Sequence, residues 1–428
     1  MAENQLNILR YLSLLVISVF IVFVKDPYLL ILLATFLLFK IIKLARWSFF
    51  SELSVLLWYA FFEGVIQKTV GVTGNTLSWA GTHMPFYFDE LSIATISFLL
   101  TELFFLEFTK IISNEKKIYG LNLGIPFGLA IFLSLISSIL MVLVFPSLPT
   151  FTANLVTRRT QGLSSLYGLV LFSLVLSSLT VEQSFQHKIL YIFYAFNIFW
   201  SFGHAERVEV LGYLSYIVLK SINFYKFSLN KKTYKKMKKI FYVIIIITIL
   251  FAMYIGLTRM GNSKVTISSF FVNFLSQGTV GDVTYIFNCA TDLWKKGLEL
   301  NGVTYLDYLY RLIPGIHSNY SSETMLHFLY PETMGGQLFF AEPMMNFGLV
   351  GTVIMNIVFF IIMGWILHNS SKKYMGYFYI PIVIEIFRTA YYGRASWMLA
   401  CFIEVPIIYF TIYIFKKIFY TTKTKISE

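Results

Sequence analysis

The chain has 428 residues, of which 57% are hydrophobic, 18% aromatic and only 13% charged, and its mean hydropathy is +0.70. Soluble globular domains carry about 25% charged residues, so this composition excludes an ordinary water-soluble fold and indicates a polytopic membrane protein. The formal net charge of +12 raises nucleic-acid binding as an alternative, which the positions of the lysines argue against.

Apolar runs long enough to cross a bilayer recur along the whole chain. A spanning helix needs about 20 mainly apolar residues. We therefore predict an all-α polytopic membrane protein with a single membrane domain over residues 1–428. About twelve helices of the required length are expected, near 6–24, 27–45, 49–66, 90–111, 123–147, 165–182, 189–203, 208–224, 240–257, 345–367, 375–390 and 395–415.

The lysines predict the orientation of these helices. If the N-terminus is cytoplasmic, the lysine-rich connections at 40–43, 110–117, 188, 220–239, 372–373 and 416–425 all lie inside, as the positive-inside rule requires. The densest run, NKKTYKKMKK at 230–239, then determines topology and meets anionic lipid. This arrangement predicts cytoplasmic termini, one large extracytoplasmic loop at 258–344 and no nucleic-acid partner.

The arginines have the opposite distribution. A guanidinium group stays charged at any physiological pH and binds two phosphate oxygens at once. Outer arginines therefore suit a cavity that binds a pyrophosphate, although any one of them has the alternative role of a headgroup anchor or salt-bridge partner. On this topology seven of the nine arginines are extracytoplasmic or at the outer membrane edge, namely Arg158, Arg159, Arg207, Arg259, Arg311, Arg388 and Arg394.

The sequence of the large loop predicts two amphipathic helices along the membrane surface. They are FNCATDLWKKG near 287–297 and YLDYLYRLIPG near 305–315. It also contains His317 and His327, and histidine is the usual candidate for a base at neutral pH. Their separation of ten residues does not suit zinc ligands on one helix. Cys289 and Cys401 are too few for a thiol metal cluster, so no metal is expected.

The stretch GGQLFFAEPMMNFGLVG at 335–351 runs from this loop into a predicted spanning helix. Paired glycines, Gly335 and Gly336, allow a backbone to approach a bulky ligand closely. Glu342 lies at the edge of the hydrocarbon, where a charge is costly without a purpose. The alternative is a helix cap ahead of an ordinary span.

This stretch resembles the signature of the Wzy-type O-antigen and capsule polymerases, in which two glycines, A-E, N-F-G and a further glycine precede a late spanning segment. The segment YRLIPG, Tyr310 to Gly315, also resembles part of the large loop of that family. The likeness covers residues 282–351, and the matching positions in the signature are Gly335, Gly336, Ala341, Glu342, Asn346, Phe347, Gly348 and Gly351.

The resemblance implies a GT-C-like helical architecture in a multi-pass protein of the bacterial inner membrane. It implies a metal-independent glycosyltransferase of lipopolysaccharide or other polysaccharide biosynthesis. Such an enzyme joins undecaprenyl-pyrophosphate-linked oligosaccharide repeat units into a surface polysaccharide on the outer face of the membrane. Its partners would be those lipid-linked substrates, membrane lipid and a chain-length regulator, with no cofactor. The alternatives are a flippase for lipid-linked oligosaccharide and an O-antigen ligase.

On this hypothesis Glu342 or His327 is the catalytic base, and arginines stabilise the departing pyrophosphate. The sequence HAE directly before Arg207 departs from the small residues that the family more usually shows there. The residues expected to bind pyrophosphate or substrate are Arg158, Arg159, Arg207, Arg259, Arg311, Arg388, Arg394, Gly335 and Gly336.

Overall fold

A computed structural model describes residues 23–70, 85–109, 111–119, 127–149, 185–204, 208–228, 230–259, 266–267, 279–311, 320–331, 333, 336–369 and 372–393, with residues 410, 413–414 and 417. Within these ranges the chain is almost entirely helical, and its only β-type pairing is an isolated bridge between Gln337 and Tyr392. The all-α class predicted from the sequence is therefore confirmed.

The helices are numbered in chain order over the described residues. They are α1 (Pro27–Ala45), α2 (Phe49–Val70), α3 (Phe88–Phe108), α4 (Ile111–Tyr119), α5 (Phe127–Val144), α6 (Phe185–Gly203), α7 (Val208–Ser228), α8 (Lys231–Arg259), α9 (Thr279–Lys295), α10 (Val303–Arg311), α11 (Ser322–Leu329), α12 (Ala341–His368), α13 (Lys373–Ile384) and α14 (Ile386–Tyr391).

Six of the described helices, α1, α2, α3, α5, α8 and α12, are long and apolar enough to cross a membrane. This agrees with the prediction of a membrane protein. They coincide with the predicted spans at 27–45, 49–66, 90–111, 123–147, 240–257 and 345–367, while α6 and α7 contain the shorter apolar stretches Ile189–Gly203 and Val210–Ile222. The predicted span near 165–182 lies outside the described residues, as does almost all of 6–24 and 395–415.

Helix α1 shows why such helix boundaries can be predicted from the sequence. Asp26 caps the helix, because its carboxylate accepts hydrogen bonds from the backbone N–H groups of Tyr28 at 2.8 Å and Leu29 at 3.0 Å. Pro27 follows at the first helical position, where its missing N–H has no cost. At the other end Arg46 leaves the helical conformation with φ 56°.

The predicted span near 375–390 is divided into two shorter helices. Pro381 lies inside α13 and lacks a backbone donor. The chain leaves the helix four residues later at Glu385, whose N–H group donates to the carbonyl of Pro381 at 2.9 Å. Helix α14 then starts at Ile386.

The chain divides into two compact units. The first comprises Met1–Ile112, Phe271–Trp365 and Arg388–Ala395. In it α1, α2 and α3 pack on one another, and α9 packs on α2 and α11. Phe98 lies among four further phenylalanine rings, with centroid distances of 5.0–6.4 Å to Phe339, Phe340, Phe359 and Phe360.

The second unit comprises Ser113–Phe270, Ile366–Phe387 and Ser396–Glu428. Its helices pack mainly as the pairs α5 with α6 and α7 with α13. Gly212 on α7 lies so close to the carbonyl oxygen of Ile384 that a Cβ atom there would overlap it. The approach of α7 to the end of α13 therefore depends on the missing side chain.

Helix α9 differs from the surface helix that the sequence predicts near 287–297. It is longer, and both its apolar residues and its polar residues are buried: Ile286 and Phe287 on the one hand, Thr284, Asn288 and Thr291 on the other. A helix lying along a membrane surface would leave its polar side in water. Helix α9 is instead an internal element of the first unit.

Candidate functional site

The glutamate of the 335–351 stretch lies in a closed polar cluster at the start of α12. Glu342 is only 1% exposed, and its Oε1 atom accepts a hydrogen bond from the Thr304 hydroxyl at 2.9 Å. The Asn346 amide donates both to that hydroxyl, at 2.7 Å, and to the Glu342 carbonyl, at 2.8 Å. We call these three residues the Glu342 cluster. It joins α12 to α10, which carries Thr304.

The turn before α10 docks on the same helix. The side-chain oxygen of Asn346 accepts from the Gly302 N–H group at 2.9 Å, and the Leu300 N–H group donates to the Met345 carbonyl at 3.0 Å. Gly302 has φ 85°, a conformation that favours glycine. Asn346 thus binds Thr304 and Gly302 at once, one helical turn after Glu342.

Gly348 interrupts α12 beside the end of α9. Its φ of 66° and ψ of −161° are not helical, and a Cβ atom there would lie 2.6 Å from Cε2 of the Trp294 indole. The preceding residue, Phe347, stacks on the Tyr305 ring with centroids 5.9 Å apart and planes at 6°. Asn346, Phe347 and Gly348 therefore join three elements of the first unit.

Gly336, the second glycine of the pair, lies beside the end of α14. Gly336 has φ 86°, and the backbone that follows pairs with α14: Gln337 donates to the Tyr391 carbonyl and Phe339 to the Ala390 carbonyl, each at 2.9 Å. A Cβ atom on Gly336 would lie 3.2 Å from the Tyr391 carbonyl oxygen. We call residues 336–340 the glycine segment. Gly335 lies outside the described residues.

Arg388 belongs to the helix that pairs with the glycine segment. It lies on α14, two residues before Ala390, and its guanidinium carbon is 5.9 Å from the centre of the Tyr392 ring. Glu342 follows Phe339 by three residues at the other end of the same segment. Gly336, Glu342 and Arg388 come from two regions of the sequence and belong to the same compact unit.

The structure describes no side-chain contacts for the other predicted arginines. Arg259 ends α8 and Arg311 ends α10, where the structure describes their backbone alone. Arg158, Arg159, Arg207 and Arg394 lie outside the described residues.

His327 lies on the exposed side of α11. Its Nδ1 atom is 3.1 Å from the Thr333 carbonyl oxygen, so in the tautomer protonated at that atom it donates to the backbone. Thr333 is not a member of the Glu342 cluster.

Buried carboxylates also occur on the predicted spans of the first unit. Glu63 on α2 and Glu102 on α3 are both 0% exposed. The Ser54 hydroxyl donates to Glu102, and the polar groups that interact with Glu63 include Tyr59, Asp282 and Tyr391. A carboxylate turned toward hydrocarbon would be costly, so both are held inside the protein.

Sequence reasoning missed a second polar cluster, which is centred on Asp292 of α9. Its carboxylate accepts from the hydroxyls of Tyr87 at 2.8 Å and Tyr330 at 2.7 Å, and it pairs with Lys296 Nζ at 2.6 Å. Asn288 lies one turn earlier and accepts from the Tyr87 N–H group at 3.0 Å. The spacing of four residues between Asn288, Asp292 and Lys296 is the signal that would have marked this face of α9.

Hydrogen bonding shifts the ionisation of the Asp292 cluster, which comprises Asp292, Tyr87, Tyr330 and Lys296. Burial acts to raise the pKa of Asp292, but the hydrogen bonds from Lys296, Tyr330 and Tyr87 favour the carboxylate and lower its pKa. Burial, then the hydrogen bond to Asp292, raises the pKa of Tyr87 to about 12. The pKa of Tyr330 is raised for the same two reasons. The cluster therefore contains one carboxylate and two neutral phenols at neutral pH.

The substitution Asp292→Ala is expected to destabilise the first unit by about 2–4 kcal/mol, because hydrogen bonds to a charged group contribute about 1.5–3 kcal/mol each. The stability due to Asp292 should be fully present above its unfolded pKa of about 4. It should be lost as the pH falls from there through the lower folded pKa. Heat or denaturant unfolding in detergent between pH 3 and pH 7 measures both effects.

Asp89→Ala is the matched control for that experiment. Asp89 is half-exposed and lies 3.8 Å from an exposed Lys25, so its removal should change stability by less than about 1 kcal/mol. Equal losses in the two variants would contradict the role assigned to Asp292.

The described part of the chain holds no group of three or more His, Cys, Asp or Glu side chains placed to bind a metal ion. Comparisons with protein-family models, curated proteins and solved structures gave no match.

Proposed function

We propose that this protein is a polymerase of lipid-linked oligosaccharides, acting on the extracytoplasmic side of a bacterial inner membrane. Its substrates would be oligosaccharide repeat units on undecaprenyl pyrophosphate, and its product a surface polysaccharide. The observation that carries the proposal is the backbone pairing of the glycine segment with α14. It holds Gly336 and the guanidinium group of Arg388 beside the same Tyr392 ring, and a guanidinium group suits the binding of a pyrophosphate.

In the proposed reaction, the bond between the anomeric carbon of the donor glycan and its pyrophosphate oxygen breaks. A hydroxyl oxygen of the acceptor unit forms the new bond to that carbon. Undecaprenyl pyrophosphate leaves with the electron pair, and the hydroxyl proton passes to a base or to water. The demand on the protein is to stabilise negative charge that grows on the pyrophosphate, which arginine does with two parallel hydrogen bonds.

Arg388 is the proposed ligand of that pyrophosphate within the described residues. Arg158, Arg159, Arg207, Arg259, Arg311 and Arg394 are proposed as further ligands on the resemblance and on their predicted outer positions. A cluster of such groups would neutralise the leaving group.

Glu342 is proposed to position this site. At 1% exposure its carboxylate has almost no surface to offer a substrate, and its Oε1 atom is engaged by Thr304. The Glu342 cluster fixes α12 relative to α10, and the glycine segment leads directly into α12. His327 is exposed and remains the candidate for a base that meets substrate.

The test is polymerisation by the purified protein in detergent, with chemically defined undecaprenyl-pyrophosphate repeat units and a chelator. Resolution of the products by size should show a ladder. Unchanged substrate would overturn the proposal, and movement of that substrate across vesicle membranes in a parallel assay would indicate a flippase. Transfer to a different acceptor without chain growth would indicate a ligase.

Arg388→Ala is expected to lower the rate of chain growth by about 10²-fold or more, the usual effect of removing a group that stabilises developing charge. Arg388→Lys should recover part of the rate, because a lysine restores the charge but not the planar pair of donors. Lys25→Ala removes an equal charge from an exposed side chain of the same unit and should leave the rate unchanged. Normal ladders from Arg388→Ala would exclude Arg388 from the site.

A further inference from the structure

Helix α10 has its polar side inside the protein and its apolar side outside. Thr304 and Asp307 are each only 1% exposed, whereas Leu306 is 51% and Tyr310 is 53% exposed. Helices that face water have the opposite arrangement, with the apolar stripe toward the core. The outward side of α10 therefore suits an apolar environment.

The orientation of α10 is fixed by its buried side. The Thr304 hydroxyl donates to Glu342 and accepts from Asn346. Rotation of the helix to bury Leu306 would break both hydrogen bonds and leave a buried carboxylate without this donor. Exposure of the apolar side is thus a property of the folded unit.

The outward side of α10 is continuous with the exposed row of a membrane-spanning helix. The Tyr305 ring stacks on Phe347 of α12. Beyond Phe347, which is 44% exposed, the same helix exposes an apolar residue every three or four positions, namely Val350 71%, Ile354 53%, Ile357 41% and Ile361 54%. Because α12 is long and apolar enough to cross a membrane, this row is its surface toward lipid.

We propose that α10 is seated in the bilayer interface, with Leu306, Tyr310 and Phe347 in contact with phospholipid. Tyrosine suits this depth, since its ring is apolar and its hydroxyl reaches the headgroup region. The bilayer would then contact one side of α10, while Thr304 on its opposite side donates a hydrogen bond to Glu342. This inference does not depend on the proposed enzymatic activity, because it follows from exposure and continuity alone.

Spin labels on single cysteines test the proposal. Cys289 is buried, so it stays in place, and Cys401→Ser removes the other native thiol. Nitroxides are attached at Leu306→Cys or Tyr310→Cys, with Asp89→Cys as the exposed polar control. The protein is reconstituted in vesicles of phosphatidylethanolamine and phosphatidylglycerol. The relaxation rate of the nitroxide is measured in the presence of oxygen, which concentrates in hydrocarbon. It is then compared with the rate in the presence of a water-soluble nickel chelate.

At positions 306 and 310 oxygen should accelerate relaxation more than the nickel chelate does, and at position 89 the order should reverse. Faster relaxation with the chelate at both α10 positions would show a water-facing helix and overturn the proposal. Protection from both reagents would show that protein, such as a second copy of the chain, covers this side, which also overturns it. Background protein without an introduced cysteine must take up no label, and each variant must elute in size-exclusion chromatography as the background does.

Discussion

Gly348→Ala is expected to destabilise the protein by about 2–6 kcal/mol, the sum of two separate costs. An alanine at φ 66° and ψ −161° adopts a backbone conformation that is essentially restricted to glycine, which costs about 1–3 kcal/mol. The same Cβ atom would lie 2.6–2.7 Å from carbon atoms of the Trp294 indole, and such overpacking typically costs about 1–3 kcal/mol. Unfolding by heat or denaturant in detergent measures the change.

Gly364→Ala on the same helix is the matched control. A Cβ atom at Gly364 would lie 3.6 Å from Phe105 Cε1, an ordinary contact, and alanine favours a helix over glycine by about 1 kcal/mol. This variant should therefore be as stable as the original protein or slightly more so. If Gly348→Ala were also as stable as the original protein, the non-helical conformation assigned to Gly348 would be contradicted.

The helices with long apolar runs could be predicted closely because their signals are local. Asp26 and Pro27 mark the start of α1, and the expected bounds of 27–45 are those of the helix. The division of the predicted span near 375–390 at Glu385 could not be derived from its apolar composition, because Pro381 is compatible with either a bent span or two helices.

Most contacts of the site join residues far apart in sequence, and no local pattern predicts them. Thr304 and Glu342 are 38 residues apart, and Gln337 in the predicted loop pairs with the Tyr391 carbonyl at the end of α14. The sequence identified Glu342 by the cost of a charge near hydrocarbon. It did not indicate that α10 supplies the compensating donor, because Thr304 has no distinguishing feature in the chain.

The burial of α9 shows a further limit. Its pattern of apolar and polar residues is that of a helix at an interface, yet its polar side contacts protein. Asp292 accepts two tyrosine hydroxyls from segments before α3 and after α11. A polar stripe has the same period whether it faces water or buried hydrogen-bond partners, so periodicity alone does not separate these cases.

Glu342→Ala is expected to lower stability by about 2–3 kcal/mol. The buried Thr304 hydroxyl loses its acceptor, and the Asn346 amide loses the packing of the glutamate side chain. Chain growth should fall together with stability. Thr304→Val removes the donor at nearly constant volume and should have a similar effect. The double variant should be less destabilised than the sum of the two, since both substitutions break one contact. Unfolding in detergent and product size in the polymerisation assay give the two readouts.

Glu342→Gln separates a positioning role from a catalytic one. Glutamine keeps an oxygen that accepts from Thr304 at the same point of the side chain, but it cannot take up a proton from an acceptor hydroxyl. With a positioning role, the variant should stay folded and retain chain growth to within about 10-fold, since only the strength of one hydrogen bond changes. A folded Glu342→Gln protein that lost about 10²-fold or more in rate, the scale of a missing general base, would instead make Glu342 the base. In that case the α10 side of the cluster would have to open during the reaction, because the carboxylate is otherwise enclosed.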